Sequence, residues 1–132
     1  MPQTITPWDI LTSSDQFPAR EKSDECTTAV RIASADTAER VSNLLDELGV
    51  SARVSSGFRT AEANKAASGS RASNHLTGKA CDLQDPNGFL DAAITDALLT
   101  RFDLYREHPL HTPGWVHLQT VRPRSGNRTF SP

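Results

Sequence analysis

Helical and strand-like segments alternate along this chain at irregular intervals, and that alternation is the tightest constraint on its fold. The clearest helix ends in ADTAERVSNLLDELGV, where Val41, Leu44, Leu45 and Leu48 recur at helical spacing. Asp36 followed by Glu39 predicts a capping box, and Gly49 stands where a helix-ending glycine belongs. Val30 and Thr37 continue the same stripe, which extends the helix back toward Ser23. ARVSS (52–56) predicts a short strand and TAEANKAAS (60–68) a short helix capped by Thr60. KACDLQ (79–84) has strand character, and DPNG (85–88) is a turn. GFLDAAITDALLTR predicts a second amphipathic helix with Leu90, Ala93, Ile94, Ala97 and Leu98 inward. FDLYRE (102–107) and GWVHLQTV (114–121) predict two strands joined by the loop HPLHTP. Strands and helices interleaved without regular βαβ spacing predict an α+β fold.

A chain of 132 residues fits one domain spanning 1–132. Residues 1–22 are expected to form an irregular arm, with Trp8, Ile10, Leu11 and Phe17 pinning it to the core. Net charge is −2 and the basic residues are scattered, so no nucleic-acid footprint is present. No apolar run approaches the roughly 18 residues of a membrane span. The first residues lack a basic n-region and an apolar h-region, so synthesis without a secretory signal and cytoplasmic first residence are expected. Cys26 and Cys81 are too few for a disulfide framework and read as reduced, largely buried thiols.

The chemistry concentrates around SNHLTGKACD (73–82), which sets His75 and Asp82 on either side of Gly78. Further on, strand alternation puts Trp115, His117 and Gln119 on one face and Val116, Leu118 and Thr120 on the other. Any one of these histidines alone is an ordinary polar residue. Together, His75, Asp82 and His117 supply two imidazoles and a carboxylate, the donor kit of a catalytic zinc that keeps a fourth position for water. Such a site needs a further carboxylate to take a proton, and Glu107, at the end of the preceding strand, could reach it across a hairpin. In SSGFRT (55–60), Arg59 offers a guanidinium that can hold a carboxylate or carbonyl oxygen.

Taken in order, SSGFRT, SNHLTGKACDL, EHPLHTPGWVHLQTV and PRSGNRTF resemble the M15 family of zinc peptidases. The likeness is greatest to the D-alanyl-D-alanine carboxypeptidase-like branch of bacterial viruses and prophages. It implies zinc ligands at His75, Asp82 and His117, with Arg59 binding substrate or the oxyanion. It also implies the hedgehog/DD-peptidase fold, in which a small antiparallel sheet carries the metal. Family members cleave peptide bonds in peptidoglycan stem peptides or cross-bridges. Many relatives place the base as E-x-x-H, whereas here Gly114 stands three residues before His117. The base is therefore expected at Glu107, with His108 and His111 as the rival candidates. Ser73 either orients His75 or caps a turn, and Ser73, His108, His111 and Trp115 are expected to line the substrate cleft with Arg59.

The expected function is thus a zinc-dependent peptidase acting on peptidoglycan, D-Ala-D-Ala carboxypeptidase or endopeptidase, of the kind used in phage lysis. It would act as a monomer on the cell wall, after release from the cytoplasm or carried in a virion. The alternative is a zinc-stabilised, non-catalytic binding or virion structural module of the same fold.

Overall fold

The computed structural model describes residues 5–12, 20–67, 69 and 73–132, without the side chains of Pro7, Trp8 and Thr12. Its helices are α1 (Pro7–Thr12), α2 (Thr28–Leu48), α3 (Ala61–Ala66), α4 (Phe89–Ala93) and α5 (Asp96–Phe102). Its strands are β1 (Val54–Ser56), β2 (Ala80–Gln84), β3 (Tyr105–Glu107), β4 (Trp115–Gln119) and β5 (Thr129–Phe130). The five strands form one sheet in the order β1-β2-β4-β3-β5. All neighbours run antiparallel except β3 and β5, which are parallel. The architecture is α+β, as the irregular alternation predicts.

One face of the sheet carries the core. Cys81 pairs with Leu118 and Leu83 with Val116, and all four are at most 1% exposed. Against them pack Ala38, Val41, Leu44 and Leu45 of α2, Leu90 of α4, and Leu99 of α5. The side chains between them in sequence, Asp82 and His117, point to the opposite face by the two-residue period of a strand. The core face therefore fixes which side the polar pair occupies, because a one-residue slip would bury Asp82 and His117 among leucines.

α2 begins at Thr28, capped by Thr27, whose Oγ1 accepts from Val30 N at 3.2 Å. The capping box expected at Asp36 and Glu39 does not form, since the helix is already two turns old there. Asp36 instead meets Arg40 one turn on, at 3.0 Å. Gly49 ends the helix in the left-handed conformation, and Val50 N reaches back to Leu45 O.

The arm is more regular than expected. Thr6 N donates to Asp9 Oδ2 at 2.8 Å, and Asp9 N donates to Thr6 Oγ1 at 3.2 Å. That reciprocal pair, with Pro7 in the first helical position, starts α1. Ile10 and Leu11 are buried as expected; Phe17 and the Trp8 side chain lie outside the described residues. Cys81 is fully buried, while Cys26 is only partly so.

The second amphipathic helix is two helices. Ile94 has ψ 119°, an extended backbone, and Thr95 caps a fresh start through Leu98 N. The break resets the helical phase, so Leu99 is buried and Ala97 is exposed, the reverse of the single-helix expectation. Phe102 closes α5 rather than opening a strand, and the following strand is confined to β3.

Candidate active site

The site is a row across the sheet. Asp82 on β2 pairs with His117 on β4, and Ser56 on β1 pairs with Asp82. On the other side of β4, Tyr105 pairs with Gln119 and Arg106 with Leu118. Continuing that register by one residue sets Glu107 opposite His117, and Glu107 in turn pairs with Phe130. Paired residues project to the same face, so Ser56, Asp82, His117, Glu107 and Phe130 stand abreast. The His117 and Phe130 rings meet edge to face at 6.3 Å.

His75 joins this row from a 3₁₀ turn, Asn74–Thr77, that precedes β2. Ser73 caps the turn, its Oγ accepting from the backbone of His75 at 3.2 Å. Gly78 then reverses the chain at φ 75°. A Cβ at that position would lie 2.4 Å from Ser34 Oγ and 2.8 Å from Val30 O of α2, so the turn can press onto the helix only as glycine. Thr37 Oγ1 donates to Gly78 O and ties the two together.

The donor atoms of His75, Asp82 and His117 all lie within 4.8 Å of one another. Asp82 Oδ1 is 3.2 Å from His75 Nε2 and 2.8 Å from His117 Nδ1. His75 Nδ1 faces Gly57 O at 2.7 Å, so it carries a hydrogen, and Nε2 is the nitrogen a neutral ring leaves bare for a metal. Ligating histidines characteristically donate their other ring N–H to a carbonyl in this way. Gly57 thus orients His75, and Ser73 serves the turn. Two imidazoles and one carboxylate match the donor set of a catalytic zinc with one position open, and the chain's own hydrogen bonds aim them inward.

Electrostatics follow from burial and proximity. Burial alone pushes the Asp82 carboxyl up. The His75 charge and the hydrogen bonds from both imidazoles more than reverse this, holding it well below the usual carboxylate range. His117 is pulled down by burial but raised on balance by the Asp82 hydrogen bond and charge, then by Gln119 and Glu107. Arg59 is lowered by burial and partly restored by Asp82. Its Nε donates to Ser56 Oγ at 2.9 Å and its Nη1 to Asn64 Oδ1 at 3.4 Å. Its Nη2 faces Asp82 Oδ2 at 3.4 Å, which occupies the carboxylate oxygen turned away from the imidazoles.

A cavity of about 330 Å³ opens over this row, lined by Arg59, Ser73, His75, Asp82, Glu107, Trp115 and His117, with Asn74 and Gln119. His108 and His111 are not brought to it. His108 Nδ1 accepts from Leu110 N and so caps the loop turn Pro109–His111, while His111 is exposed beside it, the two rings 6.4 Å apart. Asn74, Phe130 and the contact of Gln119 with His117 were not foreseen. Gln119 shares a strand face with His117, and that alternation was the available signal.

The family profile for peptidase M15 matches residues 13–118, a stretch that holds Arg59, Glu107 and all three clustered residues. No curated protein matches the chain. With a donor cluster suited to zinc inside the matched stretch, the chain belongs to the peptidase M15 family of zinc-dependent peptidases.

Proposed function

We propose that the protein is a zinc-dependent peptidoglycan peptidase that cuts stem-peptide or cross-link bonds, as a D-Ala-D-Ala carboxypeptidase or an endopeptidase of the phage-lysis kind. The observation that carries this reading is the cross-strand row, which sets a carboxylate outside the donor cluster, Glu107, beside His117 and over the same cavity. A structural metal site has no use for that second carboxylate.

When bound, zinc supplies Lewis acidity, lowering the pKa of water to about 7 and polarising a carbonyl. His75, Asp82 and His117 would hold it, and Arg59 keeps Asp82 aligned through the oxygen facing away from the imidazoles. Glu107 takes a proton from the attacking water and passes it to the departing amine, a role worth about 10²–10⁴ in rate. Arg59, only 12% exposed, brings a fixed positive charge to the wall of the cavity where oxyanion charge develops. Trp115 and Asn74 line the cleft that takes the peptide. The protein is proposed to act as a monomer on the cell wall, after release from the cytoplasm or carried in a virion.

Glu107→Gln is the direct test. The variant is expected to keep stoichiometric zinc while release of new amino groups from purified wall falls at least about 100-fold. Unchanged release would remove Glu107 from the mechanism. Zinc-loaded wild-type protein that releases none would favour the non-catalytic module instead.

A further inference from the structure

We propose that Gln119 is a positioning residue of the metal centre, locking His117 in the tautomer that leaves Nδ1 bare toward the metal; this rests on the metal reading of the cluster. Gln119 is 5% exposed and follows His117 by two residues on β4, so both side chains project to the same face. Its Nε2 donates to Val121 O at 2.7 Å. A backbone carbonyl can only accept, so the amide nitrogen must be the end that faces Val121. The other end, Oε1, therefore faces His117 Nε2, at 2.8 Å. An amide oxygen also only accepts, so His117 carries a hydrogen on Nε2, and the nitrogen that would give up its hydrogen to a metal is Nδ1. Nδ1 is the atom aimed at Asp82 Oδ1.

His75 is arranged in the opposite sense, with Nδ1 on Gly57 O and Nε2 inward. The two rings thus turn different nitrogens to one point, and each needs its own acceptor behind it. Gly57 supplies a backbone carbonyl, which no substitution can remove. His117 depends on a side chain. The anchor behind that side chain is itself secured, because Thr120 N, between Gln119 and Val121, donates to Lys79 O just before β2. The family match ends at residue 118, one position short of Gln119, so membership alone does not assign this role.

The test compares Gln119→Met, which keeps the length and loses the acceptor, with Gln119→Glu, which keeps the acceptor. Zinc affinity of each full-length protein is read by competition with a chromogenic chelator. Gln119→Met is expected to bind zinc about 10- to 100-fold more weakly, with Gln119→Glu within about threefold of wild type or tighter. Wild-type affinity in Gln119→Met, or equal loss in both variants, would overturn the proposal. If Gln119→Met does not fold, long-range ¹H–¹⁵N correlation on the zinc-loaded wild-type protein decides. A hydrogen on His117 Nε2 supports the lock and one on Nδ1 overturns it. No substrate enters these measurements. A protein that binds zinc as expected and cleaves no wall peptide would defeat the proposed function and leave Gln119 in place.

Discussion

Asp82 meets two demands at once, since its Oδ1 faces both imidazoles while its Oδ2 faces Arg59. Asp82→Asn removes the charge from the donor set and leaves the Arg59 guanidinium largely buried beside a neutral group. Elemental analysis is expected to find zinc well below one equivalent. Urea unfolding should show the metal-free protein destabilised by about 3 kcal/mol, as when one member of a buried ion pair is lost. His75→Ala and His117→Ala should lose zinc too, while Asp82 keeps its ion pair with Arg59. At this scale much of the candidate site was legible. His75 and Asp82 flank Gly78 in one motif and His117 follows in the next, and the alternation of WVHLQ showed which residues share a face. What could not be read was the hydrogen-bonding behind the rings. Gly57 O reaches His75 from a segment 18 residues away, and although Gln119 shares a strand face with His117, only the contact of its amide with Val121 O shows which end meets the ring. Conversely His108 and His111, attractive as residues, sit in a loop turn that uses one of them as its cap.

Elements place these residues by where they stop. The break at Ile94 and Thr95 lets α4 and α5 present separate faces to one core, Leu90 from the first and Leu99 from the second. Thr95→Ala, which deletes the cap of α5, should cost about 1 kcal/mol in urea unfolding. Gly78→Ala should cost more, about 2–4 kcal/mol, because it adds an unfavourable backbone conformation to contacts inside van der Waals distance of α2. It should also weaken zinc binding, since the same turn carries His75. A continuous apolar pattern over GFLDAAITDALLTR hides the helix break, because only the Thr-Asp pair at 95–96 marks the new cap and Ile94 fits either phase. The start of α2 was obscured in the opposite way. Asp36 and Glu39 have capping spacing, yet nothing before them stops a helix already begun at Thr28. TPWD at 6–9 carried both a capping pair and a proline at the first helical position, and it was masked by the density of prolines around it.

In the whole molecule, the sheet separates an apolar face that folds the chain from a polar face that works. The polar face carries a pH signature in the metal-free protein. Asp82 is lowered, so its contribution to stability is present above the unfolded carboxyl value near 4 and is lost as pH falls below it. His117 is raised, so its contribution is fully present below about 6.5 and is lost as pH rises through its elevated value. The urea midpoint of metal-free protein should therefore be highest between about pH 4 and 6.5 from this pair, and His117→Ala should flatten the alkaline side. Zinc binds the folded state, so at 100 times its dissociation constant it should add about 2.7 kcal/mol. A chelator should then lower the melting temperature by roughly 10 °C. The measurement closest to the central claim is mass spectrometry of defined muropeptides digested by the zinc-loaded protein. The expected result is a pair of products whose masses sum to substrate plus one water, split at a single peptide bond, and absent with Glu107→Gln. Intact muropeptides after incubation with protein carrying one zinc at His75, Asp82 and His117 would contradict it.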